Sequence, residues 1–321
     1  MKNVVTIGGG NGSSVSLVAL KRFVAKINLS AIVSVSDSGG SSGRLRQEFG
    51  VLPPGDMLRC ILALSKYDFP VLKQIFYKNR FSVGEKLSGH NLGNLLLTFL
   101  QNYEGDLMKT IRAFEEVLES RGKTFPITLE RNDLVAEIEN GELIFGETNI
   151  DQPNYDRNLK IKNVWLEKVD DKKTPKIFEG SKKVLLEADY VFFGPGDLYT
   201  SIVVNTLASG FVETLKKSKA KIIYIFGNAY HLDGETGPTK FSEAVLILEK
   251  YLGRKLDYVI YNNHILNKEE KENYKERGWE LIEYDKENLV DHNILECDYE
   301  RVGGGLCPDK LANSLKDIMG L

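Results

Sequence analysis

Short apolar runs alternate with amphipathic stretches along the chain, and several runs end in glycine-rich turns. Residues 4–7 form one apolar run and residues 31–35 form another. Between them, residues of one helical face recur at regular spacing: Leu17, Leu20, Val24 and Ile27. A strand, a glycine turn, a helix and a second strand make a βαβ unit with a right-handed crossover. The pattern predicts an α/β fold built around a mostly parallel sheet.

Later segments continue this alternation of helices and strands. Asp56 is placed as the N-cap of a helix from about Met57 to Ser65, and a deeply buried helix is expected at 92–100. Another helix is expected from Asp106 to about Ser120. Buried strands of the main sheet are predicted at 190–193, 221–226 and 258–261.

The period of the apolar pattern changes between about 124 and 182. Asn140-Gly141 separates two alternating runs, which is the strongest short signal for a hairpin, and 164–166 reads as a further strand. We expect a small β-rich insertion within a single α/β domain that spans residues 1–321. The pattern leaves open whether the insertion covers a ligand site or forms an interface.

Composition narrows the class of protein. The 42 Lys and Arg residues nearly balance 45 Asp and Glu residues, for a net charge of −3. This balance lacks the excess of positive charge that is typical of nucleic-acid-binding proteins. The longest apolar run, around 92–100, is too short and too interrupted for a membrane span. Three cysteines lie far apart without metal-ligand spacing: Cys60, Cys297 and Cys307. We expect a cytoplasmic protein without membrane insertion.

Two glycine-rich loops follow the first two predicted strands, at 8–14 and 37–46. In a parallel sheet both loops lie at the carboxyl edge, where the unpaired amides of a following helix bind phosphate. The first loop has Ser13 in the place of a third fingerprint glycine and lacks the lysine of a P-loop, so a tight turn without a ligand remains an alternative.

The second loop combines small residues with two arginines. Arg44, nearest the glycines, is the preferred phosphate ligand, whereas Arg46 is expected to be a solvated surface side chain. Asp37 stands 25 residues after Gly12, close to the spacing of the acid that binds ribose hydroxyls in dinucleotide-binding folds. The same carboxylate could instead bind Mg²⁺ or cap the next turn.

Candidates for catalysis are few. His90 could act as an acid or base near neutral pH, although its place before a buried helix suits a cap equally well. Asp37 and Asp56 are the carboxylates beside the glycine loops. The sequence has no GxSxG elbow, no paired Cys–His spacing and no histidine cluster, so nothing local indicates covalent catalysis.

Several blocks of sequence together resemble the YvcK/CofD-like family, also called the gluconeogenesis factor family. They occur in family order over almost the whole chain: IGGGNGSS, IVSVSDSGGSSGRLRQEFGVLPPGD, FSVGEKLSGHNLGNLLL, AEIENGELIFGET, GPGDLYTSI and NAYHLDGET. The resemblance implies binding of a nucleotide sugar of the UDP-N-acetylglucosamine type by a bacterial factor for gluconeogenic growth and cell shape. It also implies a Rossmann-like α/β fold, a three-layer sandwich with a mostly parallel sheet, and kinship with 2-phospho-L-lactate transferase.

The resemblance also implies ligand contacts. The diphosphate would lie among residues of the two glycine loops: Gly9, Gly10, Asn11, Gly12, Asp37, Ser38, Gly39, Gly40, Ser41, Ser42 and Arg44. Further residues would complete the same edge: Asn91, Asn94, Gly194, Pro195, Gly196, Asp197, Thr200, Ser201 and Asn228. Tyr274 and Arg301 would lie near the base or the sugar.

This chain departs from the family pattern at three places. It has Asn11 where the family usually has threonine, and Asp37-Ser38 where the family has paired aspartates. The arginine after Pro-Pro-Gly-Asp comes one residue late, at Arg59. Loss of the second carboxylate weakens the hypothesis that the protein is a metal-dependent transferase.

The leading hypothesis is a cytoplasmic nucleotide-sugar binding protein, with a nucleotide diphosphate ligand and no certain cofactor. The alternative is a transferase like 2-phospho-L-lactate transferase that uses Mg²⁺ at Asp37. A third hypothesis, that the protein is a dinucleotide-binding oxidoreductase, is supported only by the first βαβ unit. The exposed strands of the insertion favour a homodimer.

Overall fold

A seven-stranded parallel sheet forms the centre of the molecule. The computed structural model describes residues 1–82, 84 and 86–321. The sheet has the order β3-β2-β1-β7-β8-β10-β12, and every neighbouring pair is parallel. Its strands are β1 Lys2–Ile7, β2 Ile27–Val33, β3 Lys123–Pro126, β7 Tyr190–Phe193, β8 Lys221–Phe226, β10 Tyr258–Asn262 and β12 Ile294–Cys297. The predicted α/β class with a mostly parallel sheet is confirmed.

Helices cover both faces of this sheet, since parallel strands are buried on both sides. One apolar cluster includes residues of α1 Gly10–Leu20, α3 Gly55–Leu64, α5 Leu92–Glu104, α6 Leu107–Val117 and α12 Pro308–Met319. The other includes residues of α8 Glu179–Leu186, α9 Phe211–Lys217 and α10 Phe241–Leu252. Within β1, Val4 packs into the first cluster and Val5 into the second, which makes three layers.

The remaining helices are α2 Gly40–Phe49, α4 Phe69–Lys73, α7 Glu147–Asp151 and α11 Lys268–Glu276. Single turns of π-helix form at Gln74–Lys78 and Leu198–Ile202, and 3₁₀ turns at Lys21–Phe23, Val203–Thr206 and Lys286–Asn288. Among the described residues, no helix is both long enough and apolar enough to cross a membrane.

The segment between β3 and α8 forms a separate three-stranded antiparallel sheet. Its strands are β4 Asn132–Ile138, β5 Leu143–Phe145 and β6 Ile161–Lys168, in the order β5-β4-β6. The Asn140-Gly141 turn joins β4 to β5, so the predicted hairpin is confirmed. A two-stranded ribbon pairs β9 Ala229–His231 with β11 Trp279–Leu281 near the carboxyl edge of the main sheet.

Several boundaries differ from the apolar pattern. Helix α1 ends at Leu20, and Ile27 already belongs to β2, because a 3₁₀ turn interrupts the helical spacing. Helix α3 begins at Gly55 after an N-cap at Pro54, so Asp56 lies inside the first turn and is not the N-cap. Lys123–Pro126 pairs with β2 in the main sheet, and the small antiparallel sheet begins only at Asn132.

Candidate functional site

The strand order reverses direction between β1 and β7. In open α/β sheets this switch point opens a crevice outside the carboxyl ends of the strands. Loop 8–10 follows β1 and loop 194–197 follows β7, and the two loops touch. The Ser16 hydroxyl donates to the Gly194 carbonyl at 2.7 Å, and a Cβ at Gly12 would collide with the Pro195 carbonyl. The first glycine loop and the loop after β7 therefore meet at one point of the edge.

Two helices begin at this edge without a side-chain cap. The N-caps of α1 and α2 are Gly9 and Gly39, and no described side chain caps either helix. Gly10 and Gly40 then adopt left-handed backbone angles, with φ of 67° and 47°. By contrast, α5 and α6 are capped by Asn91 and Asp106. The first-turn amides and partial positive charge of α1 and α2 can therefore face an anion.

At the π-helical turn after β7, Leu198–Ile202, a carboxylate of the protein already binds the first backbone amides. Glu235 accepts from the backbone amides of Tyr199 and Thr200, both at 2.9 Å, and from the Thr200 hydroxyl at 3.0 Å. Burial and the nearby Asp197 raise the pKa of Glu235 to about 8. Thr200 thus binds this protein carboxylate, whereas the Ser201 side chain lies near Gly10 and Gly196.

A partly buried ion pair lies directly against the first glycine loop. Arg59 pairs with Asp56 at 3.0 Å, and its guanidinium stacks over the Tyr77 ring at 4.8 Å. A Cβ at Gly9 would collide with the Asp56 carboxylate, so only glycine allows this approach. A Cβ on Gly10 would stand 3.7 Å from the Arg59 guanidinium. Arg59 therefore presents a full positive charge beside the N-terminus of α1.

Asp37 lies close to this ion pair at the start of the second loop. Its carboxylate accepts the Gly39 amide at 2.9 Å. Burial raises the pKa of Asp37, the negative charge of Asp56 raises it further, and Arg59 opposes both effects. Two aspartates therefore share one enclosed region with one arginine.

Helix α7 of the insertion adds more acids to this region. The Thr148 amide donates to the Ser38 hydroxyl at 3.1 Å, which docks α7 on the second glycine loop. Burial, together with Asp37 and Asp56, raises the pKa of Glu147 to about 9. Burial and Asp197 raise the pKa of Asp151 to about 6. The insertion therefore covers part of the ligand edge.

The two arginines of the second loop point in opposite directions from α2. Arg44 is exposed and donates to the Ser88 carbonyl at 2.6 Å. Arg46 is only 7% exposed and pairs with Asp133 of β4 at 2.6 Å, so its predicted role as a solvated side chain is wrong. The helical spacing separates the arginines, and the insertion buries Arg46.

His90 belongs to a polar cluster behind the second loop. Its Nδ1 lies 2.8 Å from the Ser41 hydroxyl, and Asn94 donates to Ser41 at 3.1 Å and to Ser42 at 3.4 Å. Burial lowers the pKa of His90, and the positive charge of Arg44 lowers it further. The cluster holds the first turn of α2 against the start of α5.

A cavity of about 660 Å³ extends from the first glycine loop towards the ends of β8 and β11. Predicted site residues contribute to its wall: Asn11, Gly12, Pro195, Gly196, Asp197, Asn228 and Tyr274. The wall also contains Arg157, Lys160 and Trp279. This volume is in the range of small-molecule sites, and the wall mixes apolar side chains with polar and charged ones.

Glu300 organises the far side of the cavity. This carboxylate is 1% exposed and accepts from Asn262 at 2.7 Å, from Asn228 at 3.4 Å and from the Gly305 amide. The Tyr274 hydroxyl donates to the Glu300 carboxylate at 2.9 Å and lies 3.2 Å from the side-chain Oδ1 of Asn228. Glu300 therefore fixes the two predicted residues, Asn228 and Tyr274, relative to each other.

Arg301 and Asn11 lie at the rim between these regions. Arg301 donates to the Gly304 carbonyl at 3.0 Å, which braces the glycine turn after β12. Lys73 donates to Asn11 at 2.9 Å. Burial lowers the pKa of Lys73, and the positive charges of Arg59 and Arg301 contribute. Arg59, Lys73 and Arg301 thus lie near one another beside the first loop.

The fold and these loops define a doubly wound α/β protein with glycine-rich helix starts at its switch point. Residues 4–298 match the family model described as 2-phospho-L-lactate transferase CofD, and the chain belongs to this family.

Curated relatives and a solved structure agree with this assignment. The gluconeogenesis factor of Bacillus subtilis is 36% identical over 89% of this chain and 86% of its own length. The gluconeogenesis factor of Listeria innocua is 38% identical over 83% of this chain and 79% of its own. A UPF0052-family protein from Bacillus halodurans superposes with a TM-score of 0.87 at 32% identity, over 98% of this chain and 99% of the other.

Several residues that shape the site were missed among the predicted site residues, although Glu147 and Glu235 lie within the family blocks AEIENGELIFGET and NAYHLDGET. Glu147 and Glu235 stand far from the glycine loops along the chain, and only the fold brings their carboxylates to the edge. The family pattern indicates Arg301 as a site residue, but it does not indicate the neighbouring Glu300. For Arg59 a signal exists, because it follows Asp56 by one helical turn.

Proposed function

We propose that this protein binds a nucleotide sugar of the UDP-N-acetylglucosamine type and acts as a gluconeogenesis and cell-shape factor in the cytoplasm. The observation that carries the proposal is the pair of uncapped helix starts at the carboxyl edge, α1 and α2, with the α1 start next to a cavity of about 660 Å³. A nucleotide sugar has the matching form, with a central diphosphate and a polar group on either side.

The α1 start is the place for the diphosphate. Its amides supply hydrogen bonds and partial positive charge, and Arg59 and Lys73 supply full positive charge. The Asp56 carboxylate orients Arg59 at 3.0 Å, so the guanidinium is fixed before the ligand arrives. A preorganised arginine loses less conformational entropy when it binds phosphate.

The cavity beyond Gly12 is the place for the uncharged part of the ligand. Asn228 and Tyr274 lie on one wall, and Trp279 gives an aromatic surface. Both polar side chains are at most 3% exposed and are held by Glu300. Polar groups fixed in this way distinguish hydroxyl and amide patterns on a ligand.

The regulatory role rests on the relatives. Proteins named gluconeogenesis factor align over most of this chain. A binding protein of this kind reports the level of its ligand to partner proteins through the occupied and empty states of one site.

Native mass spectrometry of the protein, purified without added ligand, tests the proposal. After denaturation, the released nucleotide is identified by its mass. We expect a UDP-sugar adduct, or one that forms on addition of UDP-N-acetylglucosamine but not of UDP-glucose at equal concentration. Absence of any adduct with uridine nucleotide sugars would reject the proposal.

The acidic cluster favours a second candidate, a Mg²⁺-dependent transferase of a phosphate-linked group. Asp37 and Asp56 are hard oxygen donors near the α1 start, and Mg²⁺ is commonly held by one or two carboxylates together with phosphate oxygens. The described residues contain no group of three His, Cys, Asp or Glu side chains that could hold a metal ion alone. The pair therefore fits a Mg²⁺ ion that arrives with a phosphate ligand.

In this candidate, Mg²⁺ would supply charge stabilisation for the transferred group. The helix starts and Arg59 would position the phosphates. Incubation of the protein with Mg²⁺, a guanine-nucleotide phospholactyl donor and a deazaflavin acceptor tests for product. Turnover that Asp37→Asn abolishes would favour the transferase, and binding without turnover would favour the nucleotide-sugar protein.

A further inference from the structure

Helix α5 carries an apolar seam that faces solvent. Leu92, Phe99 and Tyr103 are 45%, 65% and 79% exposed, and Leu96 between them is half-buried. Their spacings are four, three and four residues, which is the alternation of a coiled-coil seam. The opposite face of the same helix is buried in the domain through Gly93, Asn94, Leu97 and Thr98.

This seam is unusual for an exposed helix face. Scattered single apolar side chains on a surface need no explanation, but a continuous row with helical periodicity does. The rings of Phe99 and Tyr103 are nearly parallel, with centroids 6.3 Å apart, so they form one flat apolar surface. Phe81 and Leu87, in the segment that precedes the helix, are also 39% and 44% exposed.

We propose that α5 is the interface of a homodimer, in which it packs antiparallel against α5 of a second copy. The seam is self-complementary about a two-fold axis between Leu97 and Thr98. In that register Leu96 faces the partner's Phe99, and Leu92 faces the partner's Tyr103. Each aromatic ring then covers a leucine, and the same contact occurs twice, as an isologous interface requires.

The charges at the two ends of the seam complement each other in this register. The carboxyl end has the exposed acids Glu104 and Asp106. The amino end has the exposed Arg80. Its backbone forms an isolated antiparallel β-bridge with Asn91, and its guanidinium donates to the Gly89 carbonyl at 2.6 Å. The two-fold axis places the partner's Glu104 opposite Asn91, beside Arg80. Segment 78–90 has three basic residues and one acid, so the pairing of the ends is attractive.

A second copy explains these features better than a membrane surface does. The acids at the carboxyl end of α5 would face anionic lipid and be repelled by it. An antiparallel copy instead brings that acidic end to a basic end and covers all four seam residues at once. The opposite face of α5 holds Asn94 against Ser41, so the dimer would brace the second glycine loop from behind.

Sedimentation equilibrium of the full-length protein and of Phe99→Lys tests the proposal. We expect the wild-type protein to sediment at twice its chain mass of 36.1 kDa. Phe99→Lys should weaken the dimer by at least about 30-fold, because it buries an unpaired charge in place of a central aromatic anchor. Leu246→Lys on α10, where the leucine is 49% exposed, is the matched control and should remain dimeric.

Cysteine cross-linking tests the register. Leu92→Cys combined with Tyr103→Cys should form a covalent dimer on mild oxidation, whereas Leu92→Cys combined with Val117→Cys should not. A monomeric wild-type protein at about 100 μM, far above the Kd of a stable dimer, would overturn the proposal. So would a Phe99→Lys protein that remains dimeric with a wild-type circular dichroism spectrum, or equal cross-linking of both cysteine pairs.

Discussion

The two halves of the ligand edge are built in different ways. On the β1 and β2 side, glycines bring backbone amides to the edge, and the helix starts remain without side-chain caps. On the β7, β8 and β10 side, carboxylates occupy the corresponding donors, with Glu235 at the helical start after β7 and Glu300 between Asn228 and Tyr274. The first half offers unused donors, and the second half offers a rigid, satisfied wall.

This difference separates binding strength from recognition. Unused amides and Arg59 can attract any phosphate, so the first half distinguishes ligands poorly. The second half places a few neutral polar groups in fixed positions, which is how a site rejects a ligand with the wrong hydroxyl pattern. We therefore expect changes in the two halves to have different consequences.

The largest effect is expected where the two halves touch. Gly12→Ala places a methyl group against the Pro195 carbonyl, and backbone on both sides prevents an easy shift. We expect a loss of about 3 kcal/mol in the free energy of unfolding, measured by urea denaturation. Gly227→Ala is the control, because its nearest atom would be 3.9 Å away, and it should change stability little. Equal midpoints for the two variants would contradict the close contact of the loops.

The next largest effect is expected in the rigid wall. Glu300→Gln replaces one acceptor oxygen by an NH₂ group. This new donor would face the N–H or O–H donors that Glu300 now accepts from Asn262, Tyr274 and Gly305. We expect about 2 kcal/mol of destabilisation in urea denaturation, with weaker ligand binding as Asn228 and Tyr274 lose their fixed positions. Glu296→Gln, at an exposed pair with Lys286, should cost less than about 1 kcal/mol. If both variants cost the same, Glu300 does not organise the wall.

A smaller effect on stability is expected from Glu147, the acid on helix α7 of the insertion. The folded-state pKa of Glu147 is about 9, above its unfolded value of 4.5, so the fold favours the protonated form. Stability from this group is therefore full below about pH 4.5 and is lost progressively as pH rises towards 9. Asp151 and Glu235, with pKa values of about 6 and 8, act in the same direction.

Glu147→Gln should consequently flatten the decline of stability between pH 6 and pH 8.5. We expect a gain over wild type of about 1 kcal/mol at the higher pH, measured by urea denaturation at both values. Glu142→Gln, at an exposed position of the same insertion, should leave the slope unchanged. A variant with the wild-type slope would show that Glu147 is ionised without penalty in the fold.

The smallest effect is expected at Asn11→Thr, which restores the residue usual in the family. The substitution removes only an exposed hydrogen bond from Lys73 at 2.9 Å. Stability should change by less than about 0.5 kcal/mol, and affinity for a nucleotide sugar by less than about threefold, measured by titration calorimetry. A tenfold change in affinity would show that Asn11 contacts the ligand itself.

The sequence predicted the backbone-built half of the edge better than the side-chain-built half. Glycine turns after apolar runs are local signals, so the α/β class and the Asn140-Gly141 hairpin followed from spacing alone. The burial of Arg46 depends on Asp133, which reaches it only through the folded insertion. The contact of Glu235 with Thr200 spans 35 residues in sequence and that of Glu300 with Asn228 spans 72, and spacing along the chain does not mark such pairs.

Titration calorimetry with UDP-N-acetylglucosamine, UDP and uridine tests the central claim most directly, namely that the uncapped helix starts hold a diphosphate. We predict saturable binding of the nucleotide sugar, and at least about tenfold weaker binding of uridine, because charge-assisted hydrogen bonds to phosphate are the strong ones. Equal affinities for uridine and UDP, or no binding of any uridine nucleotide, would contradict this claim.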